Sequence, residues 1–478
     1  NRIKKINKFI NGPKGYPIIG NLFDLKKNGL EIHETFHELY LKYGPIFRIR
    51  FGSIETVILS EYSTIKECFI DNGESLTERY IRKSRLRASK GLNIGNANGE
   101  YWKFLYSTIS PELTATKLKK VIEGHIKCEI KEYCKFMDSC CENEKPFHFN
   151  LYARVFTLNC VLRSLFNINY PYVYIDPKID IGTNLGDYVQ NGGKVVWGDF
   201  VPFLYFFLKN KPQSFYSSYE NLKQHVSKFV DRAMEKIKDE DFDTYKPESI
   251  AESLLIQYKK GNIVYDAVVT NSMDLLLGGI DTSANTLCFS TIAVLNNNLQ
   301  DKLYNSISNG LHGDTQDDDA NNNTKIFLYS KYKTKFNYVT LVLRETFRRY
   351  APVPLGLQHR LTNDIEINGY KIAKGTQFFQ NVYSSHMTAS TWAEPKQFIP
   401  ERFENNNLHQ QLCHYGIGLR KCIGFIMADS ELFSFLSTVF YRYQFINPSS
   451  DKLNDRGGFS LALQAPKTIL KVKKRLNK

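Results

Sequence analysis

The stretch His414–Glu431, HYGIGLRKCIGFIMADSE, sets one thiol, Cys422, between Gly418 and Gly424, with Arg420 two residues upstream and Tyr415 seven upstream. An apolar helical period starts directly after it, which places the thiol at a helix N-terminus. Free backbone N–H groups and the helix dipole favour a thiolate there. Flanking glycines permit positive φ and close approach of the backbone to a flat ligand. A thiolate held in this way suits the axial position of haem iron, where it donates electron density that favours O–O cleavage. The same pattern also describes a structural cysteine buried in a glycine loop, and Cys422 alone does not separate the two.

A second stretch, Gly278-Gly279-Ile280-Asp281-Thr282-Ser283, lies inside an apolar helical run over Tyr265–Leu295. Glycine inside a helix costs roughly 1 kcal/mol against alanine, so the pair needs a local reason. Either the helix opens beside an acid–alcohol proton relay, or it packs closely through small residues. Glu345-Thr346-Phe347-Arg348 puts an acid and a base at i, i+3 on one helix face. Such pairs are common on surfaces and by themselves carry little. His33, His125 and His386 form no metal cluster, and no H-E-x-x-H occurs.

Helical periods cover Thr116–Met137, Leu151–Leu165, Tyr216–Lys238, Tyr265–Leu295, Tyr338–Tyr350 and Gly424–Tyr441. Residues Ile46–Leu59 read as two alternating strands about Gly52-Ser53, and extended segments return at Ile365–Ile372, Thr376–Tyr383 and Phe459–Val472. Asparagine runs at 296–298, 321–323 and 405–407, with the acidic run Asp317–Asp319, mark exposed loop insertions rather than linkers. The expectation is a mainly α fold with a smaller β-rich part: one domain over 21–478, preceded by a basic leader and proline-rich segment over 1–20.

The 478 residues carry 63 Lys+Arg against 49 Asp+Glu, a formal charge of +14, with 42% hydrophobic and 14% aromatic residues. A large packed core is therefore available and wholesale disorder is excluded. Basic residues fall in short groups such as Arg79/Arg82/Lys83/Arg85/Arg87 and Lys117/Lys119/Lys120. Solvated helix faces account for most of them, and with no zinc-finger or RNA-binding signature nucleic acid is not an expected partner. Nine cysteines, an odd count with no C-x-x-C pair, argue against a disulfide framework, a redox dithiol and a zinc ribbon. They fit buried thiols in a reducing compartment. The longest strongly apolar run, Phe200–Leu208, is nine residues interrupted by Pro202, where about 20 are needed to span a bilayer. It reads equally as a lid touching a membrane or as the end of a core helix. The chain opens on Asn1 and a basic stretch, and a removed leader or anchor is expected before it.

Tyr415-x-x-Gly418-x-Arg420-x-Cys422-x-Gly424 resembles the haem-binding loop of the cytochrome P450 family, the haem-thiolate monooxygenases. Three further blocks match in the family's order: Gly278–Ser283, Glu345–Arg348 and Pro400-Glu401-Arg402-Phe403. The resemblance covers essentially the whole chain, and only the cysteine loop is specific by itself. It implies heme b buried between two long helices, its iron bound by Cys422 within the loop of Tyr415, Gly418, Arg420 and Gly424. Trp102 and His359 would contact the propionates, and Asp281 and Thr282 would take the acid and alcohol positions of the oxygen-activation groove. Glu345, Arg348 and Arg402 would form a buried triad with no chemical role. Two departures stand out: the family usually has Phe at Tyr415, whose hydroxyl then needs a partner, and Arg where this chain has Tyr106.

The implied reaction binds O2 at ferrous haem and, with two electrons and two protons, inserts one oxygen atom into an organic substrate. No flavin or nicotinamide site is visible, since Gly416-Ile417-Gly418 lacks the third glycine of a dinucleotide fingerprint. Electrons are therefore expected from a separate NADPH-cytochrome reductase, docking near Lys117, Lys119, Lys120 and Lys421. Segments Arg79–Asn98, Trp197–Leu208, Leu275–Gly279, Val353–Leu357 and Phe459–Leu463 would face a lipophilic small-molecule substrate. Pro13–Leu22 resembles the hinge after a membrane anchor, which implies a body at the membrane surface of the endoplasmic reticulum, facing the cytosol. A haem-thiolate isomerase, dehydratase or peroxygenase is the alternative, though these typically lack the acid–alcohol pair. A noncatalytic haem sensor is the third reading.

Overall fold

The five-stranded sheet that carries the β-rich part joins β1 (Ile46–Phe51), β2 (Ile54–Leu59), β3 (Glu78–Arg79), β4 (His359–Arg360) and β5 (Gln377–Gln380) in the spatial order β1-β2-β5-β4-β3. The structure is a computed structural model, and it describes residues 9–25, 29–172, 181–192, 197–201, 213–238, 240–312, 325–404 and 407–475. The basic leader over 1–8, the loop runs over 317–323 and most of the Phe200–Leu208 run lie outside the described residues. β1 and β2 form the expected hairpin, Ile46 opposite Leu59 and Phe51 opposite Ile54. Gly52 at its turn has φ 59°, and a Cβ there would stand 2.0 Å from the Phe200 carbonyl oxygen, so only glycine fits. Residues 9–25 run along β1: Ile10 is buried, its carbonyl accepts from Arg48 Nε at 2.9 Å, and Gly20 bridges to Phe51.

The larger part is helical, built on α1 (Ile32–Tyr43), α2 (Gly99–Ile109), α3 (Glu123–Glu142), α4 (Phe149–Phe166), α5 (Ile181–Gly192), α6 (Gln213–Lys236), α7 (Tyr265–Asn296), α8 (Asn337–Arg349) and α9 (Phe425–Arg442). α7, 32 residues long, is apolar on nearly every side because other elements surround it. α4 lies along it so closely that a Cβ on Gly279 would meet Val161 Cγ2 at 2.6 Å. Gly279 is therefore a packing glycine. α8 and α9 also pack on α7 and on each other, and one hydrophobic cluster runs through all of them. A second and a third cluster lie about the sheet.

The helix expected over Thr116–Met137 begins later, at Glu123. Before it come a short helix Ala115–Lys117, capped by the Thr114 hydroxyl, and a π-turn over Leu118–Ile122. The wide turn buries both Leu118 and Ile122 while Lys119 and Lys120 stay exposed. All nine cysteines are free thiols. Among the described residues no helix is long and apolar enough to cross a membrane.

Candidate active site

The loop before α9 is folded by its glycines. Gly416 and Gly418 have φ 70° and 86°, and a Cβ on Gly418 would lie 2.3 Å from the Phe69 carbonyl oxygen. The Cys422 N–H donates to the Tyr415 carbonyl at 2.9 Å, and Gly424 caps α9. Protein surrounds the Cys422 thiol on nearly all sides, yet it keeps accessible surface, so that surface opens on an interior space. A Cβ on Gly424 would meet nothing within 4 Å. Burial pushes the thiol up, against the pull of the Gly424 N–H and Lys421. Desolvation thus works against the helix terminus at this thiol.

Cys413 offers the contrast. It is fully enclosed, burial pushes it up to about 12, and its own N–H donates to His386 Nε2 at 3.0 Å. It has the surroundings of a structural thiol. Tyr415 packs against Phe347 and Phe425, and its hydroxyl finds its partner in Asp429, at 2.7 Å.

Beyond the loop lies a cluster of cations. Arg420 stacks on Trp102, its guanidinium carbon 4.4 Å from the ring centroid, and donates to the carbonyls of Thr77, Ala97 and Ile94. The Trp102 indole is thus a stacking face for Arg420. Arg79 contacts His359 Nε2, and His359 Nδ1 meets the Leu76 carbonyl at 2.6 Å. Strand pairing sets this up, because Arg79 on β3 stands opposite His359 on β4. Arg360, next along β4, turns outward to Glu78. Arg79 Nε is buried without a partner, and among the described residues neither Arg79 nor Arg420 has a carboxylate opposite it. Burial and the neighbouring Arg79 drive Arg420 down to about 8, and burial drives Arg79 down to about 10. Two half-buried guanidiniums side by side without an anion are costly unless something anionic binds. Arg79 belongs to no motif, and its sequence neighbours make it read as part of a solvated basic face.

On α7, Gly278 is exposed and its Cβ position is open. Thr282, one turn on, donates its hydroxyl to the Gly278 carbonyl at 2.6 Å. Asp281 points elsewhere: it is buried, with Oδ1 2.6 Å from Arg154 Nη2 on α4 and Oδ2 buried without a partner. Burial pushes it up in spite of Arg154. The acid and the alcohol are therefore neighbours in sequence that face different surroundings, and the acid pairs with Arg154, a residue no motif marks.

Beneath the loop, Arg348 makes two hydrogen bonds to Glu345, at 2.7 and 2.8 Å, and Arg402 Nε bridges both Glu345 oxygens at 3.1 Å. Glu345 and Arg348 have no exposed side-chain surface and Arg402 only 6%. Backbone carbonyls of His386, Pro395 and Gln397 take the remaining Arg348 protons, and those of Ala393 and Glu394 accept from Arg402. On the outer side of the same loop is a groove of about 740 Å³, lined by Phe69, Tyr329, Arg344, Leu419, Lys421 and Asp429.

These residues fit haem. A buried thiol with open space before it suits iron, and the paired Arg79 and Arg420 lack the two carboxylates that propionates would bring. A family model described as "Cytochrome P450" matches residues 10–472. Curated relatives from Dictyostelium discoideum include "Probable cytochrome P450 513D1", 39% identical over 99% of this chain and 95% of its own length, and "Probable cytochrome P450 513A3", 38% identical over 100% and 96%. A solved zebra fish cytochrome P450 with progesterone superposes with a TM-score of 0.77 at 21% identity, covering 93% of this chain and all of that one. The match spans the cysteine loop, the cation cluster and the α7 groove together, and with it the chain belongs to the cytochrome P450 family, the haem-thiolate oxidoreductases.

Proposed function

We propose that this chain inserts one oxygen atom from O2 into a lipophilic small molecule, fed with electrons by a separate NADPH-cytochrome reductase, with Cys422 as the iron ligand. When bound, haem supplies oxygen binding and activation. The chain supplies the rest. Cys422 would hold the iron through its sulfur. Arg79 and Arg420 would hold the carboxylates, with His359 orienting Arg79 and Trp102 keeping Arg420 in place. Thr282, whose proton is engaged by Gly278, offers its lone pairs to a water in the open space beside it. Asp281, positioned by Arg154, resupplies protons from the solvent side.

The observation that carries this reading is the row of Gly278 and Thr282 opening on free space while Asp281 is buried one residue away. An isomerase, dehydratase or peroxygenase does not need that arrangement, and a sensor needs no proton route. In the test, Thr282→Ala keeps haem and reduction but loses electrons to peroxide or water. The ratio of product to NADPH consumed falls well below the parent's, and an unchanged ratio would refute the relay. A binding difference spectrum over sterols, fatty acids and terpenoids supplies the substrate for it.

The groove beside Cys422, with Lys421 and Arg344 on its lining and Lys119 and Lys120 exposed, favours an acidic reductase face. Exposed Phe9, Tyr16, Ile18 and Phe23 support seating of the 9–25 segment on a membrane surface, that of the endoplasmic reticulum with the body in the cytosol.

A further inference from the structure

Asp274 stands on α7 four residues before Gly278 and eight before Thr282. Spacings of four and eight keep it on roughly the same face, ~12 Å along the axis from Thr282 at 1.5 Å per residue. Its Oδ2 accepts from Asn93 Nδ2 at 2.5 Å and from the Gly95 N–H at 2.9 Å. Both bonds fall on one oxygen, which leaves Oδ1 for another donor. Burial pushes the carboxyl up to about 6, so it remains an anion at neutral pH.

A cavity of about 10 Å³ lies against it, lined also by Arg85, Asn96, Tyr188, Tyr219 and Thr270. Arg85 is already committed in part, donating to the Gly192 carbonyl at 3.3 Å. Tyr219 on α6 is only 4% exposed, and its hydroxyl has no partner. A buried phenol without a partner and a carboxylate with a spare oxygen thus flank one small space. That space is about the size of a single water. It admits a hydroxyl and is too small for a carboxylate, a phosphate or a trimethylammonium group. The segments around it read as apolar in sequence, and the polar groups converge only through the packing of α5, α6 and α7.

We propose that Asp274 and Tyr219 bind a hydroxyl group on the substrate. The hydroxyl donates to Asp274 and accepts from Tyr219. This rests on the monooxygenase reading for the oxidation itself, but the anchor is read by binding alone, so each can fail separately. The experiment measures the dissociation constants of decan-1-ol and of its methyl ether on the haem-loaded protein by calorimetry. The ether keeps the chain and removes the donor. The parent binds the alcohol at least about tenfold more tightly, the scale of one hydrogen bond to a charged group. Asp274→Asn and Tyr219→Phe each cut that preference to below about threefold while leaving ether binding unchanged. If Asp274→Asn fails to load haem, Tyr219→Phe carries the test, since its hydroxyl has no partner to lose. No preference in the parent, as a resident structural water would give, overturns the proposal. So does the same preference in the parent and in Tyr219→Phe.

Discussion

Replacing Arg79 by methionine should move haem retention and protein stability in opposite directions. Burial takes Arg79 from the ordinary guanidinium range down to about 10. At ~1.4 kcal/mol per pH unit, that is on the order of 3 kcal/mol against the charged form in the haem-free protein. For a base whose folded value is depressed, the cost is present at neutral pH and fades only as pH rises through that value. Methionine keeps the length, removes the charge and forfeits only the side-chain contact to His359. The bonds between the Arg79 main chain and Asn98 survive the substitution. The haem-free variant should therefore be as stable as the parent or up to about 3 kcal/mol more stable. Loaded with haem, it loses a charge-assisted hydrogen bond of ~1.5–3 kcal/mol, so haem should leave about 10- to 100-fold faster. Transfer of haem to an excess of a colourless haem-binding protein gives the off-rate, and denaturant unfolding of the haem-free form gives the stability. A haem-free Arg79→Met protein destabilised by about 2 kcal/mol or more, with unchanged haem release, would refute the cation-cradle argument.

Other outcomes follow from the same geometry. Cys422→Ala should abolish the thiolate-type spectrum of the reduced carbonyl complex while Cys413→Ala keeps it, and a normal spectrum in Cys422→Ala would reassign the ligand. Glu345→Gln leaves Arg348 and Arg402 buried without their carboxylate, and urea unfolding should show a loss of ~3–5 kcal/mol; a loss under about 1 kcal/mol would mean that the backbone carbonyls suffice. Charge reversal at Lys119 and Lys120 should slow reduction by the reductase, more at low salt than at high, with substrate binding unchanged. Reduction rates indifferent to both changes would place the docking face elsewhere.

Elements with a strong period are legible in the amino-acid pattern alone. The apolar run over Tyr265–Leu295 becomes α7 at Tyr265–Asn296, and the β1–β2 hairpin turns at Gly52-Ser53, as its alternation implies. Cys422 stands out because its glycines are local signals, and the cytochrome P450 resemblance of its loop agrees with the family match. What escapes is what long-range pairing creates. Arg79 and His359 are 280 residues apart and meet only because two-residue strands pair. Arg154 reaches Asp281 only because Gly279 lets α4 approach α7. Of the two candidate reasons for the paired glycines, close packing holds at Gly279, while α7 runs unbroken past Gly278, whose Cβ position is open. The start of α3 is hidden because a π-turn inserts a residue into the period without changing which side chains are apolar.

The bond between Tyr415 and Asp429 has a consequence for engineering toward family consensus. Phenylalanine is the usual residue at position 415, and a consensus design would install it as a safe step. Here the change would strip a half-buried carboxyl of its 2.7 Å donor. A group of that kind left without its donor costs up to about 1 kcal/mol where the groove lets water in, so Tyr415→Phe alone should score as mildly harmful in a stability screen. Paired with Asp429→Leu it should be close to silent. The two positions are epistatic, and the order in which they change decides whether the path between this chain and the consensus is open.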